Sequence, residues 1–149
     1  MRFGPSPIVC CEGFDLQSLR GLDRLEELSL ECSENMINAG VLTRLRRLRI
    51  LAVDNAGLLS GPGRISGLTA LDIRRIVHVD DFGFLDRFPK LRRLTLSATA
   101  ALSALSKLGG LRGLRDLVIV GSLSKAQEYQ VTALLGSRRP NLRITFLLL

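Results

Sequence analysis

The chain has 149 residues and a formal net charge of +7 at neutral pH, a length that suits one domain with its own buried core. Hydrophobic residues make up 46% and aromatic residues 5%, with no Trp and one Tyr. The core is therefore aliphatic, and binding modes built on ring stacking are poorly supplied.

Residues 1–7, with two prolines and a glycine, read as an irregular lead-in. Ile8, Val9 and Cys10 follow as a short apolar run, 20 residues before Leu28, and are expected to form a first, atypical strand. The dominant pattern then begins: Leu19, Leu22, Leu25, Leu28 and Leu30, a polar interval, and Leu42, Leu45, Leu48, Leu51 and Val53. In the Leu-x-Leu step, alternate side chains point to opposite faces, as in a strand. The preceding steps of three suit a helical or 3₁₀ return. Strands are expected at Glu27 to Glu31 and at Ile50 to Asp54, with Asn55 and Gly57 turning the chain.

The third unit carries Gly61, Pro62 and Gly63, which predict an extended segment in place of a helix. Its strand holds Leu71 and Ile73. Val77, His78 and Val79 alternate, and Asp80 and Asp81 suit a helix start. The fourth unit runs through Phe82, Leu85, Phe88, Leu91, Leu94 and Leu96, with Pro89 ending its helix. The fifth runs from Leu102 through Leu105, Leu108, Leu111 and Leu114 to Leu117 and Ile119. The last return, about Lys125 to Gly136, places Tyr129, Val131, Leu134 and Leu135 on a helical period. Pro140 stops it, and Ile144 and Phe146 make a final strand.

The anchor recurs at Leu28, Leu51, Leu71, Leu94 and Leu117, at intervals of 23, 20, 23 and 23 residues. Its partner two residues on is always aliphatic: Leu30, Val53, Ile73, Leu96 and Ile119. One such unit cannot bury its apolar face alone, whereas stacked copies bury it in a continuous core. The apolar ending Leu147, Leu148 and Leu149 suggests that a further repeat, a domain or a partner covers it, so a fragment of a larger protein is one reading.

The motif Leu-x-x-Leu-x-x-Leu-x-x-Leu-x-Leu resembles the leucine-rich repeat superfamily across about residues 19–146. It is most similar to the 22–24-residue intracellular and bacterial types, such as internalin-like proteins and the repeat regions of NACHT or NB-ARC signalling proteins. The resemblance implies an α/β fold. This would be one right-handed leucine-rich repeat solenoid over residues 1–149, with about five clear repeats and atypical terminal units. It would have a parallel β-sheet on the concave side and a helical or irregular convex side. The resemblance also implies that partners, mostly proteins, bind the concave face. The family's Asn after the strand is replaced by Ser33, Ala56, Ile76, Thr99 and Ser122, so its asparagine ladder is absent.

By register, the outward residues of the strands are Glu27, Ser29 and Glu31; Ile50, Ala52 and Asp54; Ala70, Asp72 and Arg74; Arg93, Thr95 and Ser97; and Asp116, Val118 and Val120. The polar members Glu27, Ser29, Glu31, Asp54, Asp72, Arg74, Arg93, Thr95 and Asp116 are the expected partner-binding residues. Five of these are carboxylates and two are guanidiniums, so this face is expected to be net acidic. The basic excess lies elsewhere: residues 1–75 hold ten basic and nine acidic side chains, and residues 76–149 hold eleven and five. Many arginines fall in gaps of the leucine pattern (Arg24, Arg44, Arg46, Arg47, Arg92, Arg112, Arg115), where a solvated convex or edge face is the plain reading and a patch for an acidic partner the functional one.

Cys10, Cys11 and Cys32 form an odd count without paired spacing, against a disulfide framework. No charged segment followed by an apolar run opens the chain, and no apolar run approaches membrane-spanning length. A cytoplasmic location and no membrane contact are expected. His78 with Asp80 and Asp81 lacks the ligand count of a zinc site, and no Gly-Lys-Ser/Thr follows Gly61-Pro62-Gly63 to make a phosphate loop. Neither catalysis nor a cofactor nor a metal is expected. The leading reading is a protein-recognition module. The alternative is a sensor or autoinhibitory repeat region of a larger signalling ATPase, and a nucleic-acid or acidic-surface binder through the basic second half ranks last.

Overall fold

The computed structural model describes residues 7–8, 14–31, 36–75, 82–97 and 105–148. Seven strands form one sheet in the order of the sequence: β1 (Pro7–Ile8), β2 (Glu27–Leu30), β3 (Ile50–Asn55), β4 (Ala70–Arg75), β5 (Arg93–Ser97), β6 (Asp116–Val120) and β7 (Arg143–Leu147). All six pairings are parallel. Each return to the next strand is made by 3₁₀ turns, except the last, which is the α-helix α1 (Lys125–Gly136).

The anchor leucines pair directly across the sheet: Leu28 with Leu51, Leu51 with Leu71, Leu71 with Leu94, Leu94 with Leu117, and Leu117 with Ile144. A second row runs Leu30, Val53, Ile73, Leu96, Ile119 and Phe146. Both rows are buried from β2 to β6. At β7 they are only half-buried, because no further strand covers Ile144 and Phe146 among the described residues.

The spacing of three between the remaining leucines has a direct cause in the main chain. Leu45 N donates to Leu42 O and Leu48 N to Leu45 O; Phe88 N donates to Leu85 O and Leu91 N to Phe88 O; Leu111 N donates to Leu108 O and Leu114 N to Leu111 O. Three residues per turn eclipses these side chains on one face. That face packs on the sheet, where Leu42, Leu48, Leu85, Leu91, Leu108 and Leu114 are buried. Each fully buried leucine contributes about 1.5–3 kcal/mol, so the two leucine rows and this facing row hold the fold.

Five details depart from the sequence reading. Pro7 belongs to β1, and Ile8 pairs with Leu30 where the 20-residue spacing implied Leu28. A shift of two keeps the strand face unchanged. Leu22 is 46% exposed, since the turn after the 3₁₀ helix at Leu16–Leu19 swings it outward. The third unit does contain a 3₁₀ helix, Ala56–Ser60, which places Ala56, Leu58 and Leu59 in the core before Gly61 to Gly63 bend the chain. Asn55 accordingly ends β3, and Gly57 lies in that helix. Tyr129 is 76% exposed: Val131 and Leu135, four residues apart, define the buried face of α1, and Tyr129 lies off it. The helix itself matches the expected span, closed at its start by a reciprocal Ser124–Gln127 capping box.

Val9, Cys10, Cys11, Cys32, Ser33, Ile76, His78, Asp80, Asp81, Thr99, Leu102 and Leu149 lie outside the described residues. No helix among the described residues is long and apolar enough to cross a membrane.

Candidate functional site

The face of the sheet opposite the core carries all nine residues expected to bind a partner. Strand alternation turns them away from the buried rows, and the parallel register arranges them in lines across the sheet. One line runs Glu27, Ile50, Ala70, Arg93, Asp116 and Arg143. The next runs Ser29, Ala52, Asp72, Thr95, Val118 and Thr145. Glu31, Asp54 and Arg74 stand at the strand ends beyond them.

These side chains do not form a uniform acidic surface. Arg74 donates to Glu31 at 3.1 Å and to the Ser29 hydroxyl at 3.4 Å, with Asp72 at 3.9 Å. Asp54 is met by Arg75 at 3.4 Å, and Asp116 by Arg143 at 2.8 Å. With Arg143 and Arg75 counted, five carboxylates face four guanidiniums, so the acidic excess narrows to one charge. Arg143 on β7 belongs to the same face, and Arg75 reaches Asp54 from the strand end, so four of the five carboxylates have a guanidinium partner. Arg143 could have been found by extending the outward register to the final strand. Arg75 could not, because strand alternation assigns it to the other face.

Glu27 and Arg93 make no ion pair among the described residues, and Arg93 is exposed. Burial raises the carboxyl of Asp72 above its ordinary 3.8, and Arg74 pulls it partly back. Between the charged groups the face is apolar or small. Ile50 is 41% exposed, and Ala52, Ala70 and Val118 are half-buried.

Searched against family models, curated proteins and solved structures, the chain matches none. The site is therefore read from its own chemistry. The described residues contain no group of three or more His, Cys, Asp or Glu side chains able to hold a metal ion. What the face offers is a fixed array: charge pairs on rigid strands, interleaved with small and apolar side chains.

Proposed function

We propose that the chain is a leucine-rich repeat solenoid, right-handed with its sheet on the concave side, and that it binds a protein partner through the sheet's outer face. One observation carries this reading. All-parallel sheets are ordinarily covered on both faces, yet here the 3₁₀ turns and α1 cover one face and, among the described residues, no element covers the other across β2 to β7. The repeat intervals and the eclipsed leucines support the solenoid. The mixture of exposed Ile50, small alanines and charged side chains suits a protein interface, which combines apolar and polar contacts. A reducing, cytoplasmic setting fits the unpaired cysteine spacing.

The test replaces residues that support nothing else. Glu27→Lys with Arg93→Glu reverses two charges of this face that make no ion pair among the described residues, and Thr95→Arg places a long side chain in the middle of the face. Affinity capture from source-cell lysate is compared with that by the wild type, and circular dichroism checks the fold. A partner retrieved by wild type and lost with both folded variants supports the reading. Retrieval of the same partners by all three proteins sinks it.

A further inference from the structure

The arginines that the sequence scatters through the gaps of the leucine pattern come together on one edge of the sheet. Arg49, Arg92 and Arg115 each stand two residues before a buried anchor, and the main chain ties these positions into a ladder. Thr69 N and Ala70 N donate to Arg49 O at 2.8 and 3.0 Å. Arg92 N and Arg93 N donate to Thr69 O at 2.9 and 3.0 Å, and Arg115 N and Asp116 N donate to Arg92 O at 2.8 and 3.0 Å. The loops just outside this ladder also stack closely. A Cβ on Gly67 would lie 2.9 Å from Leu48 O and 3.1 Å from Arg46 O, and one on Gly113 would lie 3.3 Å from Leu91 O.

Arg46, Arg47, Arg49, Arg92, Arg112 and Arg115 therefore share one continuous edge. All six are exposed, and none forms an ion pair among the described residues. At its first end an open groove of about 680 Å³ is lined by Arg44, Arg46 and Arg47 with Thr43 and Asp23. The basic excess is thus organised across an edge that draws on both halves of the chain, and it is separate from the sheet face.

We propose that this edge binds the phosphate backbone of double-stranded nucleic acid without reading its sequence. Three features select that partner. Guanidinium forks match phosphate geometry, and here they stand at the start of β3, β5 and β6, with Thr69 in the same place on β4 and Glu26 on β2. Between them stand Ser66, Gly67, Thr69 and Gly113, which provide no apolar anchor of the sort that protein interfaces depend on, whereas phosphate contacts need none. Among the described residues no aromatic ring is exposed on this edge, since Phe88 is buried, and single-strand binding relies on rings that stack bases. From β3 to β6 the row spans three strand spacings, roughly 14 Å, which is close to the major-groove width of about 12 Å.

The test is a fluorescence-anisotropy titration of the full chain against a labelled duplex of about 20 base pairs over a salt series. A second duplex of unrelated sequence, a single strand and a poly-glutamate peptide are run beside it. Both duplexes are expected to bind alike and more tightly than the other two probes. With about six phosphate contacts, the plot of log K against log salt has a slope near −5. Arg49→Gln, Arg92→Gln and Arg115→Gln together should make that slope shallower by about 3, while Lys107→Gln with Lys125→Gln should leave it unchanged. Absence of duplex binding at low salt overturns the proposal, as does preference for poly-glutamate. So does equal loss of binding in both sets of variants, which would reduce the effect to net charge. If a variant fails to fold, the wild-type slope still tests the proposal, and a slope near zero overturns it.

Discussion

Arg74 on β4 reaches over β3 to hold Glu31, at the end of β2, at 3.1 Å. The pair links strands that do not touch each other in the sheet, crossing β3 at the level of Asp54. Both partners are well exposed, at 43% and 38%, so the pair adds little to stability and much to the shape of the face. A double-mutant cycle with Arg74→Ala and Glu31→Ala should give a coupling of about 0.2–1 kcal/mol, weakening as salt is raised. A coupling well above this range, or one insensitive to salt, would mean that the pair holds strands together.

The same guanidinium opposes the burial of Asp72. Because burial wins, the folded protein binds the Asp72 proton more tightly than the unfolded chain does. The ionised carboxylate therefore costs stability at neutral pH, and that cost disappears as pH falls through the raised value toward 3.8. Asp72→Asn should stabilise the protein at about pH 7 by less than about 1 kcal/mol, since solvent screens a half-exposed group. The gain over wild type should vanish near pH 3. Urea unfolding midpoints at the two pH values measure this, and a gain that grows on acidification would reverse the assigned cause.

How much of this was legible in the sequence depended on which residues carry their neighbours with them. The anchor row was legible because a fixed interval between leucines translates directly into strand register, and α1 because Val131, Leu134 and Leu135 fall on a helical period. The open face followed from alternation alone. Contacts that depend on the reach of a long side chain were not legible. Asn38 donates to Asp15 at 2.8 Å across 23 residues, with Asn38 in the left-handed region at φ 62°, and no spacing announces that pair. Leu22 and Tyr129 were misread because periodicity counts positions, whereas burial depends on where the turn leaves the side chain.

Arg87 shows a reach of another kind. Its guanidinium donates to Leu59 O, to Pro62 O at 2.9 Å and to Gly63 O at 2.5 Å, so one side chain satisfies three carbonyls of the preceding bend. Burial lowers its pKa, a shift that a guanidinium absorbs without losing its charge near neutral pH. Arg87→Met keeps the stem and removes the donors, and it should cost about 1–3 kcal/mol. Arg87→Lys should recover less than half of that, since an ammonium lacks the planar fork. Chemical-denaturant unfolding gives the magnitude. Amide hydrogen exchange should show the loss of protection concentrated in residues 56–65. A loss spread evenly over all strands would contradict a local clasp.

Gly67 offers the sharpest test of how the repeats stack. Its neighbours in the close approach are main-chain oxygens of Leu48 and Arg46, which cannot rotate aside as a side-chain tip can. A methyl group at 2.9 Å from Leu48 O must push the 46–48 loop away from the 66–69 loop, and the bonds from Thr69 N and Ala70 N to Arg49 O lie next to that displacement. Gly67→Ala should therefore destabilise by about 1–3 kcal/mol, as overpacking does, even though Ala elsewhere gains from a less flexible unfolded chain. Gly40→Ala is the control, because a Cβ there meets nothing within 4 Å, and it should change stability by no more than about 1 kcal/mol. Thermal and urea unfolding of the two variants decide the matter. If Gly67→Ala proved as harmless as Gly40→Ala, the loops of successive repeats would not be in contact, and the continuous arginine edge built on that contact would be lost with it.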